Sequence, residues 1–429
     1  MNVLESNTYH QPSPDIRVVQ LDVLRGIAVL GIYWINVAVF ALPYSVYILP
    51  VLLGEATQAN TLVWAFSEVF IDGTMRGLFS MLFGASAMLF LDESRLAGGG
   101  LAVVDRYYRR TLLLMLFGLI HAWLLLWPYD VLYAYGLFGL FLFPLRKLSA
   151  RTLLIVGLVL LMLGDMGVNQ PPVVDQPTHS KPADTSTTTQ PDTEISESIN
   201  LQIAEEIDVY SSGYMRIFNY QQKDIIEQQS INMYDTHFFD IGGMMLFGMA
   251  LFKLGVLSGR RPRELYLKMM FMGYLFGIMI RGPDAYAVLI NGFEITHLFN
   301  RENMTYNLGK LAMTLGHIGL IGLLYQFSLF DRLARILAAT GRLALTNYIM
   351  QTIISLLIFY GIGLGLYAQY ERYQLVFICL AVWLFQIGFS LFWLKHFHYG
   401  PLEWLWRSLI YGQRQRFRKD HNPPQTTGL

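Results

Sequence analysis

The sequence predicts an all-α polytopic membrane protein with about ten transmembrane helices in two bundles of about five. Three observations carry that reading. Hydrophobic residues make up 54% of the 429 positions and charged residues only 14%, against about a quarter charged in a soluble domain. The apolar residues, 28 Phe and 19 Met among them, gather into runs long enough to cross a hydrocarbon core of about 30 Å. Basic residues cluster at alternate ends of those runs, which orients them. The formal net charge of zero says nothing about partners. No glycine-rich phosphate loop occurs, and the basic clusters already have a topological role, so neither a nucleotide fold nor a nucleic-acid partner is expected. The single cysteine excludes an intrachain disulfide, and the nine scattered histidines imply no metal site.

The polar first sixteen residues lack a basic stretch or a cleavage signature, so the first run reads as a retained span. That span, LDVLRGIAVLGIYWINVAVFALP at 21–43, opens with Asp22 and Arg25 three apart on one helix face. Asn36 lies about three turns deeper, near the same face. The three residues fit a plain anchor with a packing amide, or a polar cavity opening from one leaflet. A second run at 62–91 carries Glu68, Asp72 and Arg76 at steps of four, which puts all three on one face, able to pair with one another and with Arg25. Spans at 111–127 and 131–145 form a hairpin turned by Trp127-Pro128-Tyr129-Asp130, with His121 in the first arm. His121 is either a packed helix-to-helix hydrogen bonder or a proton-transfer group. Asp130 can orient it only if the turn folds back, because nine helical residues span about 13 Å. A fifth span at 152–167 completes the N-terminal bundle.

Residues 168–200 are rich in Pro, Thr, Ser and acid and are expected to be disordered. Apolar residues at helical spacing return at 201–232, an amphipathic element on the membrane surface or over the bundle. Five more spans are expected at 238–257, 265–281, 307–330, 343–363 and 375–394. His317 lies in the third of these, and Asn347 and Gln351 share a face in the fourth. The domains are therefore 1–167, a linker at 168–236, a second bundle with an interfacial segment at 237–412, and a basic tail at 413–429. Most of the 31 basic residues then fall on one side, which puts both termini in the cytoplasm. Arg281, Arg301 and Lys310 are assigned to outside loops.

The segments LDVLRGIAVLGIYWIN (21–36), RGLFSMLFGASAML (76–89), RRTLLLMLFGLIHAWLLLWPYDVLYAYG (109–136), GRLALTNYIMQ (341–351) and GPLEWLWRSLIYG (400–412) resemble the YeiB-like family, domain of unknown function 418. This resemblance implies a bacterial inner-membrane protein and no particular activity. More distantly, the opening is similar to membrane acyltransferases of type 3, whose arginine matches Arg25 but whose catalytic histidine position is Asn36 here. The heparan-glucosaminide acetyltransferase family is similar in carrying Asp, Arg-Gly and Asn at this register, with its histidine elsewhere; His121 or His297 would take that part.

The first functional expectation is acyl transfer from a cytoplasmic donor such as acyl-coenzyme A, with no tightly bound cofactor, to a glycan, lipid or small-molecule acceptor. His121 with Asp130 would be the base, Asn36 an oxyanion donor, and Asp22 with Arg25 the donor-binding pair. The second is a transporter using Glu68, Asp72, Arg76, His317, Asn347 and Gln351 as a polar path. The topology is checked by tags placed after Lys419 and within 175–195, which should report opposite sides of the membrane.

Overall fold

The computed structural model describes residues 19–49, 51–52, 57–91, 100–167, 191–230, 232–233, 238–291, 293 and 305–419. Among these the chain is helical throughout, and the extended pairing is an isolated antiparallel bridge between Phe397 and Arg418. In order, the helices of the first half are α1 (Val19–Ala41), α2 (Tyr44–Ile48), α3 (Gln58–Phe66), α4 (Thr74–Phe90), α5 (Leu101–Leu124), α6 (Leu132–Leu145) and α7 (Ala150–Gly167). Next come α8 (Pro191–Tyr210) and α9 (Tyr214–Gln229). The second half holds α10 (Phe238–Lys253), α11 (Arg263–Ile290), α12 (Tyr306–Leu324), α13 (Asp331–Arg342), α14 (Ala344–Phe359), α15 (Arg372–His396) and α16 (Pro401–Tyr411).

Each expected span meets a helix, with three differences. The run at 62–91 is not one helix: α3 passes into a π-helical turn at Ser67–Ile71 and breaks at Gly73, whose φ is 66°. A further amphipathic helix, α13, lies between the eighth and ninth runs and meets α14 at a 75° bend. Helix also begins at Pro191, so 191–200 is ordered where disorder was expected; residues 168–190 lie outside the described residues. Among the described residues, α1, α12 and α15 are long and apolar enough to cross a membrane, and a fourth is added if the bent α13–α14 pair is one span. Other expected spans are shorter: 17 residues in α4, 14 in α6, 16 in α10 and 16 in α14.

The two bundles expected from the sequence are interleaved. α1 packs along α13, α14 and α15, while α10 sits between α4 and α7. Glycines allow this close approach by removing the side chain at the crossing. A Cβ at Gly84 would strike the Met245 carbonyl, one at Gly248 the Met81 carbonyl, and one at Gly26 the Leu337 carbonyl. Among the described residues the buried apolar side chains form three clusters: one runs from Leu21 and Leu24 to Met244, Leu337 and Tyr348, a second gathers Tyr33, Phe40, Trp127 and Phe359, and a small third holds Trp64 and Phe293.

The α8–α9 pair caps one end of the helices. Tyr214 donates to the Leu124 carbonyl at 3.0 Å, and Trp123 Nε1 to Gln229 at 3.1 Å. Glu206 accepts from the Tyr44 amide at 2.9 Å and from the Tyr367 hydroxyl at 3.3 Å. Burial pushes its carboxyl above the usual carboxylate range, and those two hydrogen bonds oppose the shift in part.

The glycine crossings give a direct check. Gly84→Val and Gly248→Val should abolish monodisperse protein in detergent, since each forces backbone apart where no side chain can yield. Gly388→Ala, with nothing within 4 Å of its Cβ position, should leave yield and thermal stability unchanged.

Candidate active site and polar core

His121 sits in the last turn of α5. The chain then folds back sharply: Leu125 and Trp127 amides bond to the His121 and Ala122 carbonyls, and Leu126 adopts a left-handed φ of 52°. A branched residue rarely takes that conformation, and burial of Leu126 and Trp127 holds it here. Trp127 stacks on Phe40 of α1 with ring centroids 3.9 Å apart. The reversal carries Asp130 back to His121, so Nδ1 and Oδ1 lie 2.7 Å apart with side chains 0% and 1% exposed. Asp130 Oδ2 accepts the Tyr133 amide at 2.8 Å, fixing the carboxylate at the start of α6.

On its other side, His121 Nε2 lies 2.8 Å from Thr352 Oγ1 of α14, and the Tyr348 ring packs edge-on at 5.0 Å. In the tautomer that carries its proton on Nδ1, the ring donates to Asp130 and Nε2 accepts from the Thr352 hydroxyl. Asp130, His121 and Thr352 thus form a buried hydrogen-bonded chain. Thr352 went unnoticed in the sequence, although it directly follows Gln351.

The other expected residues are dispersed. Arg25 Nη1 donates to Asp22 at 2.9 Å and Nη2 to Ser86 at 2.5 Å. It lies at the opposite end of α1 from Phe40, about 22 Å away along the axis, so Asp22 and Arg25 do not share a site with His121. Asn36 is half-buried on α1 and is not bonded to His121. Asn347 Nδ2 donates to the Thr340 carbonyl and to Ser390, and Gln351 Nε2 to the Val29 carbonyl and to Gln386, so both knit α14 to its neighbours. His317 bridges the Tyr274 hydroxyl and the Phe70 carbonyl, each at 2.9 Å. His297 lies outside the described residues.

Glu68, Asp72 and Arg76 do not share the expected face, because the π turn and the break at Gly73 rotate Arg76 away from both acids. Arg76 pairs instead with Asp240 of α10 at 2.8 Å. Asp72 accepts from Tyr306 at 2.9 Å and from Arg281 at 3.3 Å, and Arg281 stands 3.9 Å from Glu68 Oε1. Asp240 also pairs with Lys310, which is fully buried. Lys310 donates to Asn307 at 2.6 Å, and the Asn307 amide donates to Asp165 at 3.0 Å. Lys310 and Arg281, assigned to loops from sequence, are therefore core residues. A lone acid in FFDIGGMMLF and a lone base in NLGKLAMTL were the available signals.

A cavity of about 370 Å³ opens between α1, α2, α3, the π turn and α15, with Trp34, Trp64, Glu68, Asp72, Arg372 and Cys379 in its wall. It meets a different face of α1 from the one that carries Tyr33 to Ser355 and Phe40 to Trp127. Among the described residues no group of His, Cys, Asp and Glu is placed to hold a metal ion.

All-helical packing, several apolar helices and a buried polar core are compatible with a helical membrane protein. Known sequences identify the family. The chain is 32% identical over 405 residues to "Uncharacterized protein YeiB" of Escherichia coli (strain K12), covering 92% of this chain and 96% of that protein. It is 30% identical over 419 residues to "Uncharacterized protein YxaH" of Bacillus subtilis (strain 168), covering 92% and 94%. The family description "Protein of unknown function (DUF418)" matches residues 251–413. The chain belongs to this YeiB-like, DUF418 family. No solved structure matches it.

Asp240→Asn should leave Arg76 and Lys310 as uncompensated neighbours and cost about 3–5 kcal/mol. Thermal unfolding in detergent checks this. Replacing Asp240 and Lys310 together by Met should recover part of the loss.

Proposed function

We propose that this protein is an acyltransferase of the bacterial inner membrane, moving an acyl group from a cytoplasmic donor such as acyl-coenzyme A to an acceptor on the outer side. The observation that carries the reading is the 2.7 Å contact between His121 and Asp130. In this reading Asp130 holds the imidazole with Nε2 ready to accept a proton. The acceptor hydroxyl or amine takes the place that Thr352 Oγ1 holds, 2.8 Å from Nε2. As the acceptor attacks the thioester carbonyl, Nε2 takes its proton and passes it to the departing thiolate.

The reading includes about ten spans with both termini cytoplasmic, in contact with membrane lipids. Arg25, oriented by Asp22, then faces the cytoplasm and holds the donor's phosphates. The pantetheine arm covers the distance to His121, passing Asn36, whose amide would meet the developing oxyanion. The acceptor is a glycan, lipid headgroup or small metabolite reached by displacing the α8–α9 cap.

A second reading, a proton-coupled transporter, is favoured by one observation: the buried Asp240–Lys310 pair, joined by Arg76, sets ionisable groups within the helical packing, which suits ion coupling. Purified protein in nanodiscs separates the two. Acyl transfer requires calorimetric binding of acetyl- or longer acyl-coenzyme A. His121→Ala should then lose turnover by about 10²–10⁴-fold with donor affinity nearly intact, whereas Arg25→Ala should weaken donor binding. Absence of donor binding, with substrate counterflow that depends on Asp240 or Lys310, would establish the transporter.

A further inference from the structure

Arg110 lies in the first half of α5, three turns and about 16 Å along the axis from His121. We infer that its guanidinium, together with that of Arg25, is a binding site for a phosphate group, carried by a free phosphate ester or by the headgroup of an anionic lipid. The inference does not rest on the acyl-transfer reading, because what is recognised is the phosphate and not an acyl group.

Helix geometry brings the two arginines together. Phe83, Ser86 and Phe90 follow at steps of three and four, so they form one stripe along the last two turns of α4. The Arg110 guanidinium lies over both rings, 5.2 Å from that of Phe83 and 5.6 Å from that of Phe90. Between those rings, Ser86 accepts from Arg25 Nη2 at 2.5 Å. Cations from α5 and α1 therefore meet on one stripe of α4, where they repel one another. α16 adds a third ring: that of Trp406 stands 5.4 Å from the guanidinium, and its Nε1 donates to the Arg110 carbonyl at 3.2 Å.

The two cations differ in their partners. Arg25 has a carboxylate in Asp22 at 2.9 Å. Arg110 has none among the described residues; it is 9% exposed, and its Nη1 is buried without an acceptor. A guanidinium stays charged at any physiological pH, so the burial is not relieved by loss of a proton. Ring faces attract the cation through their quadrupole, but they return less than an ion loses on leaving water and leave its N–H groups without a strong acceptor. A buried donor of this kind calls for a partner, and the partner of a guanidinium is an oxyanion. Phosphate fits best. Its tetrahedral oxygens can meet two guanidinia at different angles, whereas a flat carboxylate satisfies a single fork.

The test uses the full chain in an uncharged detergent, followed by calorimetry and thermal unfolding at matched ionic strength. The probes are inorganic pyrophosphate, short-chain phosphatidylglycerol, acetate and chloride; none carries a thioester, so the outcome is independent of acyl transfer. A phosphate-bearing probe should bind saturably and raise the unfolding temperature, and acetate and chloride should do neither. Tighter binding of pyrophosphate marks a free phosphate ester as the occupant, and tighter binding of phosphatidylglycerol marks a lipid. Arg110→Met should weaken the binding by about tenfold or more. Without phosphate it should unfold at the wild-type temperature or above, because an apolar side chain then replaces an unpaired ion. Arg110→Lys keeps the charge and loses the fork, and should bind more weakly than wild type. Failure of both phosphate probes overturns the inference, as does equal binding of acetate or unchanged phosphate binding in Arg110→Met. An Arg110→Met protein that fails to fold or unfolds well below wild type, with Arg110→Lys binding phosphate as wild type does, marks a purely structural cation and overturns it too.

Discussion

The pairing of Lys310 with Asp240 is the contact on which the arrangement depends. A fully enclosed ammonium is tolerated only where a carboxylate and further acceptors surround it, and Asp240 and Asn307 supply them. Because Asp240 also holds Arg76, one carboxylate fixes α4, α10 and α12 relative to one another. The position of α12 in turn places Tyr306 against Asp72 and His317 against the Phe70 carbonyl. The π turn, and with it the cavity, is thus held from behind by residues of the second half of the chain.

The His121–Asp130 contact is built by a different device. Helix geometry alone keeps Asp130 from His121, and the left-handed Leu126 removes that obstacle by reversing the chain within a few residues. The anchor for the reversal is aromatic: Trp127 lies flat on Phe40, so the turn is registered against the far end of α1. The two polar features of α1, Arg25 at one end and the neighbourhood of His121 at the other, are separated by the thickness of the bundle.

Much of this was legible in the sequence. Apolar runs located the helices, and a histidine followed nine positions later by an acid beyond a Trp-Pro turn marked the dyad. What failed was any inference that needed an unbroken helix or a choice of partner. Steps of four place Glu68, Asp72 and Arg76 on one face only if the repeat is uniform, and an extra residue in the π turn is invisible to periodicity. Lys310 was taken for a loop base because basic residues at span ends usually are. Its actual partner, Asp240, lies 70 positions away, and nothing local announces such a pairing. Asn347 and Gln351 looked like a path and proved to be clamps between helices.

The glycine-lined seams and amide clamps also bear on how the protein is made. α1 is the first of these helices to leave the ribosome, yet Gln351 reaches its Val29 carbonyl across 322 positions and Trp383 its Leu30 carbonyl across 353. Throughout synthesis α1 is without the surfaces that finally enclose it, and the polar side chains of Asp22, Arg25 and Asn36 lack their final surroundings. Such a long wait for distant partners exposes a chain to mispairing.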